Sequence, residues 1–242
     1  MTASPAHPPI TLRRVSEKAN EIIDSDAWFS TNKLALNTFR GVLPDSIPRE
    51  IRGAGIITTI DSGDHILAIY GPNYGSKPLL LGARRDGTIE YIFDFENYRF
   101  APKNVERERA FVEQSIVWAE QRGDVLYVSH GHSTYASSSN GMNAYVSAID
   151  TKSRKALWHS APLVSNASNF IFIGGDAYLV TGYGFTAEPD FVYILRATDG
   201  AVVARIPVKS GPEHIVAARD RIFVRTYNRD YVFEIRRPST SR

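Results

Sequence analysis

Asp124-Val-Leu-Tyr-Val128 is one of four short runs that decide the fold. The others are Asp64-His-Ile-Leu-Ala68, Asp176-Ala-Tyr-Leu-Val180 and Asp220-Arg-Ile-Phe-Val224. Two, three and four positions after each aspartate the residue is apolar: Ile66, Leu67, Ala68; Leu126, Tyr127, Val128; Tyr178, Leu179, Val180; Ile222, Phe223, Val224. A short continuous apolar run, bounded by turn residues and rich in β-branched and aromatic side chains, reads as a strand packed on both faces. A further strand precedes each run: Ile56–Ile60, Ser115–Ala119, Asn169–Ile173 and His214–Ala218. A third follows each: Pro78–Leu81, Ala144–Ile149, Phe191–Leu195 and Tyr231–Ile235. Three units add a fourth strand, Ile89–Phe93, Ala156–His159 and Val202–Ile206. Two of these fourth strands follow Asp86-Gly87 and Asp199-Gly200, a dipeptide that marks tight hairpins.

The aspartates are 60, 52 and 44 residues apart. Four antiparallel strands per unit at that period predict an all-β chain, a small β-propeller of four-stranded blades. A β-sandwich of hairpins is the competing architecture, but it does not require an aligned aspartate column.

Tyr145-Val-Ser-Ala-Ile-Asp150 followed by Lys155-Ala-Leu-Trp158 resembles the repeat of pyrroloquinoline-quinone-type (PQQ-like) propellers. In that repeat a strand ending in a small residue, an apolar residue and Asp turns into a strand ending in Trp. Val192-Tyr-Ile-Leu-Arg-Ala-Thr-Asp-Gly200 is a second copy, with Arg196 where the family usually has Asp. The resemblance covers residues 54–236 and implies the propeller fold, while most proteins with such repeats bind no quinone. The quinone enzymes of the family carry an adjacent-cysteine disulfide and several blade-docking tryptophans. This chain has no cysteine, and its tryptophans are Trp28, Trp118 and Trp158. Neither quinone nor any other cofactor is therefore expected.

Ring closure is left open. The last unit stops after three strands, and a propeller must protect its outer edges. Ile10–Val15 or Lys33–Asn37 would supply the missing strand; residues 10–50 would otherwise form a degenerate fifth blade. Ser16–Trp28 has a weak helical pattern, which opposes a regular blade there. The division is an arm over residues 1–50, a propeller over 51–236 and a tail over 237–242.

Composition narrows the function classes. There are 28 Lys+Arg against 26 Asp+Glu, too even for a dedicated polyanion binder. The Arg-rich stretch from Arg219 to Arg242 reads as a solvated strand and tail, so nucleic acid is not expected. Without cysteine, thiolate chemistry and Cys-ligated metal are excluded. No apolar stretch approaches the roughly 20 residues of a membrane span. The first nine residues carry no signal-like apolar core. The expected compartment is the cytoplasm if Met1 is native, and outside the cell if the chain is a trimmed mature form.

In a four-stranded meander the first-to-second and third-to-fourth turns share one face. The second-to-third loops and the links between blades share the other. The first set is short and the second is long: Gly71–Lys77, His130–Asn143, Gly182–Asp190, then Glu96–Glu113, Ser160–Ser168 and Lys209–Glu213. Long loops on a rigid scaffold concentrate function. The leading expectation is therefore a binding module that takes a small ligand or a protein partner on the long-loop face, over the central channel. His130 and His132 would lie on one side of an extended loop. Tyr74, Tyr135, Asn143, Tyr183, Asp190, Arg225 and Tyr227 would complete the binding surface. The glycines of the Gly182–Asp190 loop would let a ligand approach the backbone.

The alternative is a cofactor-independent hydrolase, lyase or isomerase. His130, His132 or His214 would be its general base, Glu188 or Asp190 would orient that base, and Arg225 would hold an anionic substrate. No metal is assigned, because the two-histidine pair lacks a defined third ligand. A third reading is a structural subunit that pairs with another copy through an unclosed blade edge. Asn104–Glu113 alternates in charge and reads as a short exposed helix.

Overall fold

A computed structural model describes residues 10–95, 115–131, 141–185 and 188–236. His132 and Tyr135, and the helix expected over Asn104–Glu113, lie outside the described residues. In chain order the elements begin with β1 (Thr11–Ala19), α1 (Ser25–Thr31) and β2 (Glu50–Ile51). The first blade is β3 (Ala54–Ser62), β4 (His65–Gly71), β5 (Leu79–Arg84) and β6 (Ile89–Asp94). The second is β7 (Ser115–Arg122), β8 (Val125–Gly131), β9 (Tyr145–Asp150) and β10 (Ala156–His159). The third is β11 (Ile171–Ile173), β12 (Tyr178–Phe185), β13 (Glu188–Arg196) and β14 (Val202–Pro207). The fourth is β15 (Pro212–Ala218), β16 (Arg221–Thr226) and β17 (Arg229–Arg236), completed by β1. Every sheet is antiparallel and ordered from first strand to last, with β2 added beside β3. The chain is a small β-propeller.

The aspartate column has a structural cause. Each aspartate stands in the turn between the first and second strands. There a backbone carbonyl accepts a hydrogen bond from the chain just beyond the third strand or at its end. Asp64 O takes Arg85 N at 3.2 Å, Asp124 O takes Thr151 N at 2.9 Å, and Asp220 O takes Ile235 N at 2.9 Å. In the third blade Gly174 and Gly175 lengthen the turn, so Ala177 O takes Ala197 N at 3.0 Å and Asp176 adopts φ 65°. The second strands are sandwiched between neighbouring blades: β4 is buried from Ile66 through Gly71 and β8 from Leu126 through Gly131.

Blades lock pairwise. Gln121 N donates to Ser62 Oγ at 2.7 Å and Tyr91 Oη to Gln121 Oε1 at 2.5 Å, joining the first blade to the second. Trp158 Nε1 donates to Ala197 O at 3.1 Å, joining the second to the third. Below that indole lies Gly200, at φ +71°, where a Cβ would meet Trp158 Cε3 at 2.4 Å. The Asp-Gly turn therefore serves both the hairpin and the docking of the previous blade's tryptophan. Between the third and fourth blades the Asn169 amide bridges both backbone groups of Ile215, at 2.6 and 2.9 Å.

The fourth and first blades are joined by the segment after β1. Of the two expected closing strands, the one expected over Ile10–Val15 takes the role as Thr11–Ala19, pairing with β17 from Thr11↔Arg236 to Ala19↔Arg229. Lys33–Asn37 does not. Asn37 and Phe39 bond the inner strand β3 through Asp61 N→Asn37 O at 2.7 Å and Phe39 N→Thr59 O at 3.0 Å. With Ala35 and Leu36, Asn37 lines a central hollow of about 150 Å³ shared with β7, β11 and β15. Phe39, Leu43, Ile47 and Ile51 cover the far face of the first blade, over Ile66, Ala68, Tyr70, Leu81 and Ala83. Residues 10–50 are thus not a fifth blade. The helix is also displaced from the weak pattern over Ser16–Trp28: Ser16–Ala19 is strand, and α1 starts at Ser25 because the Asp24 side chain caps Ala27 N at 2.7 Å.

Two expected loops differ. Gly182–Asp190 is not an open loop: β12 and β13 pair through Tyr183↔Phe191 to Phe185↔Glu188. Its glycines admit the next blade rather than a ligand, since a Cβ at Gly182 would meet Pro212 Cβ at 2.5 Å and one at Gly184 would meet Gly211 Cα at 2.5 Å. His130 is not in the long loop either. It belongs to β8, paired with Tyr145.

Candidate functional site

Two adjoining cavities open on the face of the second-to-third loops and inter-blade links, and they share Asn166 and Phe185. The smaller, about 270 Å³, is lined by Tyr74, Lys77, Ser115, Asn143 and Tyr183 among others. The larger, about 510 Å³, takes Asp190, Lys209, Glu213 and Tyr227. Five of the residues expected to bind a ligand thus gather on one side: Tyr74, Asn143 and Tyr183 in one cavity, Asp190 and Tyr227 in the other. Tyr74 and Tyr227 are exposed rims, at 79% and 77%, while Tyr183 is a buried wall. Burial raises the Asp190 carboxyl above its ordinary value.

The links that frame these cavities share a device. Ser165 Oγ bonds Thr181 Oγ1 and Ser210 Oγ bonds Thr226 Oγ1, each at 2.6 Å and each sixteen residues apart. The Asn166 amide spans Gly184, donating to its carbonyl at 2.9 Å and accepting from its N–H at 3.2 Å. Sequence reading passed over Ser165, Asn166, Ser210, Lys77 and Ser115. The Ser-to-Thr spacing at two consecutive links was a visible signal for the serines. No spacing marked Lys77 or Ser115.

The histidines and Arg225 stand elsewhere. His130 is fully buried, bonded to Ser147 Oγ at 2.8 Å and packed between the rings of Phe95 at 5.1 Å and Tyr145 at 5.9 Å. Burial, then the charge of His159, pulls its pKa down to about 3, so it is a neutral core group at pH 7. His214 turns to the Phe29 ring at 5.0 Å; burial and then Arg225 lower its pKa, with Asp26 opposing. Arg225 is 2% exposed and holds the arm: it donates to Ile22 O and to Ile23 O, the second at 2.9 Å, with Trp28 over its guanidinium at 5.5 Å. Its Nη1 lies 3.7 Å from Asp230 Oδ1, and burial raises the Asp230 carboxyl. Of Glu188 only the backbone is described. Among the described residues, His130, His214 and Arg225 do not meet Asp190 at a common opening.

The opposite face carries a hollow of about 850 Å³ beside Asn37, Arg40, Asp61, His65 and Arg122. Three of its polar side chains are already paired: Asp61 with Arg85 at 2.5 Å, His65 with Glu90 at 2.9 Å, and Arg122 with Glu120 at 2.6 Å. No helix among the described residues is long and apolar enough to cross a membrane.

No protein-family model matches the sequence, and no curated protein matches it. Solved structures do. BamB from Moraxella catarrhalis is 13% identical, with a TM-score of 0.33, over 76% of this chain and 74% of that one. The Cps50 (Swd1) β-propeller domain of Myceliophteria thermophila is 15% identical, with a TM-score of 0.49, over 82% and 59%. A quinohemoprotein alcohol dehydrogenase from Pseudomonas putida is 10% identical, with a TM-score of 0.45, over 72% and 32%. The chain thus spans 59% of the Swd1 domain and about a third of the dehydrogenase. At these identities no activity transfers from them.

Proposed function

We propose that this chain is a β-propeller binding module whose ligand or protein partner sits on the face of the second-to-third loops and inter-blade links. The observation that carries the reading is the pair of adjoining cavities there, to which all four blades and their links contribute Tyr74, Asn143, Tyr183, Asp190 and Tyr227. Aromatic rims with a few convergent polar groups are the usual composition of a recognition site. The larger hollow on the opposite face ranks second, because Asp61, His65 and Arg122 on its wall are already paired with Arg85, Glu90 and Glu120.

The test is a thermal-shift screen of small molecules and peptides, with each binder mapped by hydrogen-exchange protection. Protection over Gly71–Lys77, Ser165–Asn166 and Gly211–Glu213, lost in Tyr74→Ser/Tyr227→Ser, is the expected outcome. Protection confined to Asp61–His65 and Gln121–Gly123 refutes the assignment.

A further inference from the structure

Lys77 stands where the chain leaves the Asn73 turn and enters β5. Its carbonyl is committed to Ile116 N at 2.9 Å, which pins the residue against the first strand of the next blade. The side chain lines the smaller cavity. Among the described residues its ammonium has no carboxylate and no hydrogen-bond acceptor. Burial draws its pKa below the ordinary lysine value, with no compensating charge to hold it up. Beside it Ser115 is 7% exposed, its backbone paired with Gly131 and its hydroxyl without a partner among the described residues. Val117, Tyr183 and Phe185 supply the apolar part of the lining.

A partly desolvated cation without a partner is a cost to the fold, and the cost is relieved when an anion enters the same half-buried space. The cavity, about 270 Å³, is at the small end of the range for organic ligands. One cation calls for one negative charge, and the apolar wall calls for a flat or branched hydrocarbon attached to it. We infer that this cavity binds a small organic carboxylate, with the carboxylate on Lys77 and Ser115 and its apolar part along Val117, Tyr183 and Phe185. This rests on the reading of that face as the recognition face and names the ligand class it takes.

The test is calorimetric titration of the full chain with phenylacetate, phenylacetamide and inorganic phosphate, in the wild type, in Lys77→Met and in Lys152→Met. Lys152 lies outside both cavities, is exposed and is paired with Asp124 at 2.6 Å, so it is a control for general surface charge. A ligand of this size is expected to bind with a Kd on the order of a millimolar. Lys77→Met keeps the unbranched stem and breaks no ion pair, so its melting temperature is expected to stay at or above that of the wild type. It should weaken phenylacetate by about tenfold or more while Lys152→Met leaves it unchanged. Phenylacetamide should bind the wild type as weakly as phenylacetate binds Lys77→Met.

Equal binding of phenylacetate and its amide overturns the proposal, as does undiminished binding to Lys77→Met or the absence of saturable phenylacetate binding. Phosphate binding as tightly as phenylacetate overturns the organic class. In each of these cases the recognition face stands if screened binders still protect Gly71–Lys77 and Gly211–Glu213. That reading fails separately, on protection confined to the opposite face.

Discussion

His130 provides a quantitative prediction. Its imidazole is fully buried and its pKa falls to about 3, against 6.5 for the unperturbed side chain. Between those values the unfolded chain binds a proton that the folded chain refuses, so stability rises with pH across that window. The contribution is fully present above the unfolded pKa and is lost progressively as pH falls toward the folded one. From pH 7 to pH 4.5 the two pKa values give a loss of about 2.5 kcal/mol from this residue. His130→Gln retains a partner for Ser147 Oγ and cannot titrate. The assay is urea unfolding of wild type and variant at both pH values, comparing the change in ΔG between them. The variant is expected to be less stable at pH 7 through lost ring packing, yet to lose about 2.5 kcal/mol less on acidification. His214, also lowered by burial, and the carboxylates contribute equally to both proteins and cancel. Identical pH dependence in the two proteins would refute the buried, neutral state of His130.

Two other residues carry predictions. Gly200→Ala places a methyl at φ +71°, 2.4 Å from the Trp158 ring, and is expected to cost about 1–3 kcal/mol and to shift the indole fluorescence; an unchanged melting temperature counts against the docking of Trp158 on that turn. Arg225→Met removes the hydrogen bonds to Ile22 O and Ile23 O and leaves Asp230 without its cation. It is expected to cost about 3 kcal/mol and to speed hydrogen exchange across Asn20–Asn32, and unchanged exchange there would show that the arm is held by other contacts.

Comparison of particular residues separates what was legible in the chain from what was not. The second strands were readable because a strand sandwiched between blades carries a continuous apolar run, and Asp-Gly marks the hairpin between the third and fourth strands in two blades. The aspartates were readable as turns, although the repeated carbonyl bond from that turn to the third-strand end was not. That Tyr74, Asn143, Tyr183, Asp190 and Tyr227 share one face was legible because they follow or flank strands of the same rank in their blades. His130 was misplaced by one structural level. The strand β8 continues three residues further than its apolar run, to Gly131, because Ser129 and His130 are buried and His130 bonds Ser147 seventeen residues away. Gly182 and Gly184 suggested an open loop, whereas it is Pro212 and Gly211, across a blade boundary, that occupy the space their missing side chains leave.

The sequence by itself determined the blades: strand, turn and repeat depend on neighbours a few residues apart and on the period of two that burial imposes. Only the tertiary structure decided the rest. It selected Thr11–Ala19 over Lys33–Asn37 to complete the fourth blade, because the free edge of β17 is matched by a strand more than two hundred residues away. It also left Lys77 without a partner among the described residues while enclosing His130 and Arg225. The state of a polar side chain is set by the partners and solvent around it, and here those partners come from distant segments that local pattern does not encode.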